Sequence, residues 1–137
     1  MRIRIVYNRI FPFGDNRAMT VWPCIFTRVA LKDYEVNHEL THCQQQKEVM
    51  VASAIICIAL VILGTTPWIL CAVPFSFYIL YILEYVIRLC VYRNHREAYR
   101  NISTEQEAYL NQMTAGYPMT RNDFAWVRFI FRKTYNR

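Results

Sequence analysis

The sequence predicts a mainly α-helical single domain, residues 1–137, with a small antiparallel β-hairpin at its N-terminal end. Three observations carry that prediction. The chain has 137 residues, the size of one domain. Its hydrophobic share of 55% exceeds that of an ordinary soluble domain, and Val49 to Leu83 contains no charged residue. Only the residues before position 30 alternate polar and apolar side chains, or concentrate β-branched and aromatic ones, as strands do.

The elements follow in order. Arg2 to Tyr7 alternates like a half-buried strand, unlike the apolar run of a signal peptide. Pro12-Phe13-Gly14-Asp15-Asn16 is a turn cluster. Ala18 to Val29 reads as the second strand, and Pro23 within it marks an edge position. Asp33 as N-cap, with Glu35 in the first turn, opens a helix that meets no breaker before Leu63. Gly64-Thr65-Thr66-Pro67 ends it and starts another. That second helix is expected from about Trp68 to about Arg100, kinked near Pro74. Asn101 to Thr104 breaks it, and Ser103 followed by Gln106 is a capping box for a third helix reaching about Met113. Gly116-Tyr117-Pro118 is a turn, and Asn122 to Lys133 reads as a last amphipathic helix with a basic end.

The net charge is +6, and all sixteen Lys and Arg lie before Glu48 or after Tyr85. Bases that flank an apolar block suit an anionic membrane surface, not the basic stripe of a nucleic-acid-binding face. The two halves of 49–83 are at the short end for a bilayer core of ~30 Å. A domain this small has little to cover two helices that are apolar all round, so membrane insertion is preferred to a buried hairpin in a soluble core. The charge-free turn then lies at the far end, and both basic flanks stay on the cytoplasmic side. Cys24, Cys43, Cys57, Cys71 and Cys90 form no CxxC pair and read as small hydrophobes in a reducing compartment. Scarce glycine argues against a phosphate-binding loop.

The chemistry concentrates in His38-Glu39-Leu40-Thr41-His42, an HExxH spacing. On a helix His38 and His42 share one face and can chelate one Zn2+, while Glu39 beside them is placed as general base. A catalytic zinc takes a third protein ligand. No HExxHxxGxxH extension supplies it, so the candidates are Glu84, His95, Glu97, Glu105 and Glu107. If both arms of the hairpin rise 1.5 Å per residue, the chain returns level with the histidines near residues 88 to 95. Glu84 then comes too early and pairs with Arg88, whereas His95 and Glu97 are at the right height. Glu105 and Glu107 open the next helix about 200° apart, so only one of them can face the metal. Gln44, Gln45 and Gln46 are candidates for substrate contact, but read first as a solvated helix face. His95, Tyr99 and Tyr109 are candidate oxyanion donors with bland structural alternatives. Cys43 points to another face and is not counted as a ligand.

HELTH, two hydrophobic segments and then Thr104-Glu105-Gln106-Glu107-Ala108-Tyr109 resembles the layout of gluzincin membrane peptidases: the HtpX-type proteases, the CAAX prenyl endopeptidases and the antibiotic-sensor peptidases. The run from Glu84 to Tyr109 also resembles a group of small bacterial HExxH proteins. In gluzincins a later helix carries ExxxD, whose Glu is the third zinc ligand. The resemblance implies Glu105 in that role, with Ala108 matching the motif's usual alanine and Tyr109 standing where the family has aspartate. It implies a zinc metalloendopeptidase in the bacterial inner membrane, its active site on the cytoplasmic side, acting on peptides or membrane proteins. The edge strand is expected to align an extended substrate. The rival expectations are a non-enzymatic small membrane protein with a structural or vestigial metal site, and a soluble peptidase with a buried hairpin.

Overall fold

The computed structural model describes residues 3–10, 12 and 17–132. The fold is mainly α with a small N-terminal sheet, as expected. Its strands are β1 (Arg4–Tyr7), β2 (Ala18–Val21) and β3 (Cys24–Thr27), in the order β1-β3-β2. The antiparallel hairpin is β2–β3, whereas β1 pairs parallel to β3. The expected second strand is therefore folded in two at Trp22-Pro23, a cis peptide bond. Proline has no N–H to give a ladder and sits in the turn; β3 is central, so β2 and β1 are the two edge strands. Arg2 and residues 13–16 of the expected turn lie outside the described residues.

Helix α1 (Asp33–Ile62) carries HELTH at its polar end. Its cap is Lys32, one residue before the expected Asp33: the Lys32 N–H donates to Glu35 Oε2 at 2.8 Å. The Glu35 carboxylate satisfies a free amide, and with Asp33 it complements the helix dipole. Gly64 ends the helix at a φ of +99°, a conformation that a side chain disfavours.

The expected helix from Trp68 to Arg100 is three pieces. Pro67–Phe75 is a 3₁₀ helix containing two prolines, followed by α2 (Ser76–Tyr92) and α3 (His95–Arg100). Prolines remove helix donors at both ends of the first piece. Arg93 is left-handed at φ 51°, and the Asn94 side chain accepts from the Arg96 and Glu97 N–H groups, starting a new helix. A 3₁₀ helix rises about 2.0 Å per residue against 1.5 Å for an α-helix. The return arm therefore descends faster than expected. Tyr78 already reaches the edge strand, with its hydroxyl 2.6 Å from Thr20 O.

Helix α4 (Ser103–Asn111) begins without the expected capping box. Gln106 donates instead to Asn101 O and Arg132 O. Glu84 of α2 takes over the cap, accepting from Ser103 N (2.9 Å) and Ser103 Oγ (2.6 Å) while it holds Arg88 at 3.0 Å. After a short α5 (Tyr117–Thr120), the expected terminal helix is only a 3₁₀ turn, Ala125–Phe129, with left-handed Phe124 before it. Lys133 lies outside the described residues.

Two segments, Asp33–Ile62 and Pro67–Tyr92, are long and apolar enough to cross a membrane by length and composition. A Ser53–Ser76 hydrogen bond of 3.0 Å ties them together. On α2, Ile79, Ile82, Leu83, Val86, Ile87 and Val91 are 47% to 69% exposed, so its outer face is apolar along its whole length.

Candidate metal centre

Helix periodicity puts His38 and His42 on the face of α1 that packs against α4, where Glu105 stands in the first turn. All three are buried, and their ligand atoms lie within 4.8 Å of one another, close enough to hold one metal ion. His38 Nε2 and His42 Nε2 are 3.1 Å apart, and Glu105 oxygens lie 3.4 and 3.3 Å from them. Glu105 Oε2 is buried with no hydrogen bond among the described residues. A buried carboxylate whose two oxygens face two imidazole nitrogens is a donor set that suits a cation. Burial opposes the charged form of Glu105, but the neighbouring imidazoles of His42 and His38 hold its carboxyl below the usual carboxylate range.

The surroundings fix the orientation of the His42 ring. Gln45 Nε2 donates to Thr104 O (3.1 Å) and Glu107 Oε2 (2.9 Å), both of which only accept. The Gln45 amide is thereby oriented with Oε1 toward His42 Nδ1, at 2.8 Å. An amide oxygen cannot donate, so Nδ1 carries a proton and Nε2 is the ring nitrogen turned toward His38 and Glu105. Glu107 lies on the opposite side of α4. It is fully buried and pairs with Arg121 at 2.6 Å, and Tyr117 donates to it at 2.8 Å. Arg121 also pairs with Glu48 of α1. Glu105 is therefore the carboxylate that meets the histidines, while Glu107 anchors the network behind them.

Tyrosines line the other side. Tyr81 of α2 donates to Glu105 Oε1 at 2.8 Å, and the Tyr109 ring packs edge-on against His38 with centroids 4.6 Å apart. Tyr109, at the position where the aspartate of ExxxD would stand, thus supports the first histidine by ring contact. Burial and the nearby Glu105 push the Tyr109 hydroxyl above its ordinary pKa, so it remains a protonated donor. Tyr81 also marks the level of the histidines on the return arm, well before the expected 88 to 95.

Glu39 stays outside the ligand trio. Its Oε2 accepts from Thr20 Oγ1 of β2 at 2.6 Å, which ties the carboxylate to the edge strand. Two turns on, the Gln46 carboxamide bridges that edge: Trp22 N donates to its Oε1 and its Nε2 donates to Thr20 O, each at 2.8 Å. The expected solvated glutamine face is therefore a correction. Gln45 and Gln46 are buried, and Gln44 is half-buried. Of the other candidates, His95 is exposed and bound to Tyr85 at 2.7 Å, and Glu84 caps α4. Glu97 and the buried Cys43 do not join the metal-binding group.

Two cavities meet at the site. One, of about 330 Å³, is walled by β2 and by Phe77, Tyr78, Tyr81 and Ile82 of α2. The other, of about 320 Å³, opens among Arg17, Tyr34, Glu35 and Gln112. His38, Glu39, Ala18 and Tyr99 line both. Compared with family models, curated proteins and solved structures, the chain matches none.

Proposed function

We propose that the chain is a membrane-associated zinc metalloendopeptidase whose metal is held by His38, His42 and Glu105. The observation that carries this reading is the triangle of donor atoms. Tetrahedral ligands at about 2.0–2.1 Å from zinc stand roughly 3.3 Å apart. Here the two Nε2 atoms are 3.1 Å apart, and the two Glu105 oxygens face one each, Oε2 at 3.4 Å from His38 and Oε1 at 3.3 Å from His42, with one donor atom from each residue inside 4.8 Å. Among the described residues no fourth His, Cys, Asp or Glu joins the group, and the fourth side faces Glu39 and the two cavities. A closed structural site would have a fourth protein ligand, so this openness supports catalysis over the non-enzymatic alternative.

Zinc bound there would polarise the scissile carbonyl and lower the pKa of the attacking water. Glu39 accepts that water's proton as its oxygen bonds to the carbonyl carbon. Glu39 then passes the proton to the leaving nitrogen as the C–N bond breaks, giving a carboxylic acid and an amine, and the acid's remaining proton goes to the amine to leave a carboxylate and an ammonium group. Thr20 holds Glu39 in place for both transfers. The Thr20 carbonyl points away from β3, so the outer edge of β2 faces the apolar cavity, where Ala18 can pair with an extended peptide. This site and the two apolar segments fit the gluzincin membrane peptidases, with the site at the cytoplasmic side of a bacterial inner membrane.

Purified protein should bind about one zinc per chain, and Glu39→Gln should keep the metal while losing hydrolysis, because an amide accepts no proton from water. Full zinc occupancy in His38→Ala/His42→Ala, or wild-type cleavage by Glu39→Gln, would overturn the proposal.

A further inference from the structure

The two cavities differ in what borders them. The polar one opens at Arg17, whose guanidinium pairs with Glu35 at 3.2 Å. The apolar one ends at Ile82, which is 59% exposed on the outer face of α2. That face remains apolar to Val91, and the first charge beyond it is Arg93. Tyr81, which touches Glu105, lies twelve residues before Arg93, or about 18 Å of α-helix. A bilayer that covers the exposed apolar face of α2 therefore reaches the level of the donor triangle on this side, while the other side faces water.

We infer that the substrate is a membrane-inserted polypeptide segment, entering the apolar cavity sideways past Ile82, while water reaches Glu39 through the polar cavity. This inference rests on the peptidase reading for the reaction, but its binding step does not. The chemistry of the wall selects a peptide over an acyl chain. Thr20 O and Trp22 N point away from β3 and are taken by Gln46. The antiparallel register gives Ala18 and Thr20 the same outward orientation, so the Ala18 N–H and C=O and the Thr20 N–H face the cavity. These groups have no hydrogen-bond partner on that edge among the described residues. In an apolar setting they favour an occupant with its own backbone donors and acceptors, and Phe77 and Ile82 favour an apolar side chain beside the scissile bond. Gln46 and Tyr78 cap the strand beyond Thr20, which limits pairing to a short extended stretch.

The test uses zinc-loaded Glu39→Gln in vesicles of phosphatidylcholine and phosphatidylglycerol. The probe is a twenty-residue leucine–alanine segment with lysine flanks and a central benzophenone. Photolabelling should fall on Met19 and Ile82, at least tenfold above labelling at Ile62 near the far end of the hairpin. Equal labelling at Ile62, labelling only at the Arg17–Glu35 mouth, or displacement of the probe by a benzophenone-tagged phosphatidylglycerol would overturn the inference. If Glu39→Gln does not fold, metal-stripped wild type carries the same cavity and should label alike. Labelling at Met19 and Ile82 without cleavage by wild type would defeat the peptidase reading and leave this one standing. Cleavage of water-soluble peptides without such labelling would do the reverse.

Discussion

Gln45→Leu isolates what the glutamine does for the metal. Gln45 is fully buried and makes three hydrogen bonds, to His42 Nδ1, Thr104 O and Glu107 Oε2. Leucine fills similar space and makes none. Freed of its acceptor, His42 loses the preference for a proton on Nδ1 and the restraint on its ring. Partners of this kind are worth 10–100-fold in metal affinity, or about 1.4–2.7 kcal/mol. The fold loses a further amount of about 1–3 kcal/mol, because His42 Nδ1 is left buried without a partner, whereas Thr104 O stays in the α4 ladder. Gln45→Glu separates the two effects. Its carboxylate still accepts from His42 Nδ1, but it faces Glu107 with like charge and donates nothing. Zinc affinity of the folded protein should therefore recover while thermal stability does not. Competition against a chromophoric chelator measures the affinity, and the visible bands of the cobalt-substituted protein report the ligand geometry. A folded Gln45→Leu protein that binds zinc within threefold of wild type would refute the role assigned to this side chain.

Glu105→Gln should weaken zinc binding at least tenfold, whereas Glu107→Gln should chiefly lower the melting temperature; chelator competition and thermal unfolding on both variants check this. Arg121→Met leaves Glu48 and Glu107 facing each other in the interior, with a cost of about 3–5 kcal/mol, readable in denaturant unfolding. Thr20→Val should retain zinc and lower kcat, since Glu39 loses its 2.6 Å tether; unchanged turnover would refute that role. Cys71 and Cys90 are exposed on the hairpin, so in vesicles they should resist a water-soluble maleimide and react with a membrane-permeant one, while buried Cys43 reacts with neither; rapid labelling of Cys71 by the soluble reagent would count against insertion.

The donor set was legible because its spacing is local. His38 and His42 define a face by helix periodicity alone, and the 200° between Glu105 and Glu107 allows only one to share it. Choosing Glu105 needed the family resemblance, since the height argument pointed to residues 88 to 95. That argument assumed α-helical rise throughout, and the 3₁₀ geometry of Pro67–Phe75 invalidates it. The two prolines in that segment were the available signal. The buried glutamines had a signal too. Gln45 and Gln46 stand three and four residues after His42, so they share its face, and a face that buries two histidines against another helix is not solvated. The parallel pairing of β1 with β3 left no local trace, because a pairing between distant strands depends on where the connecting chain runs.

The position of the polar residues explains how so small a chain holds an apolar hairpin in register. In the bilayer setting proposed above there is little hydrophobic drive between two helices, so packing and hydrogen bonds must choose the arrangement. The upper part of the hairpin has mainly the Ser53–Ser76 bond. At the level of the donor triangle the ties multiply. Tyr78 reaches β2, Tyr81 reaches α4, Glu84 caps α4, and Arg88 donates to Ile130 O. These contacts recur at positions 78, 81, 84 and 88 of α2, one inward stripe at helical spacing, with exposed isoleucines, leucines and valines on the opposite side. The stripe that anchors α2 is thus also the wall of the candidate site. A polar-to-apolar change at Tyr81 should therefore loosen both the hairpin and the metal ligand, and the two losses should appear together.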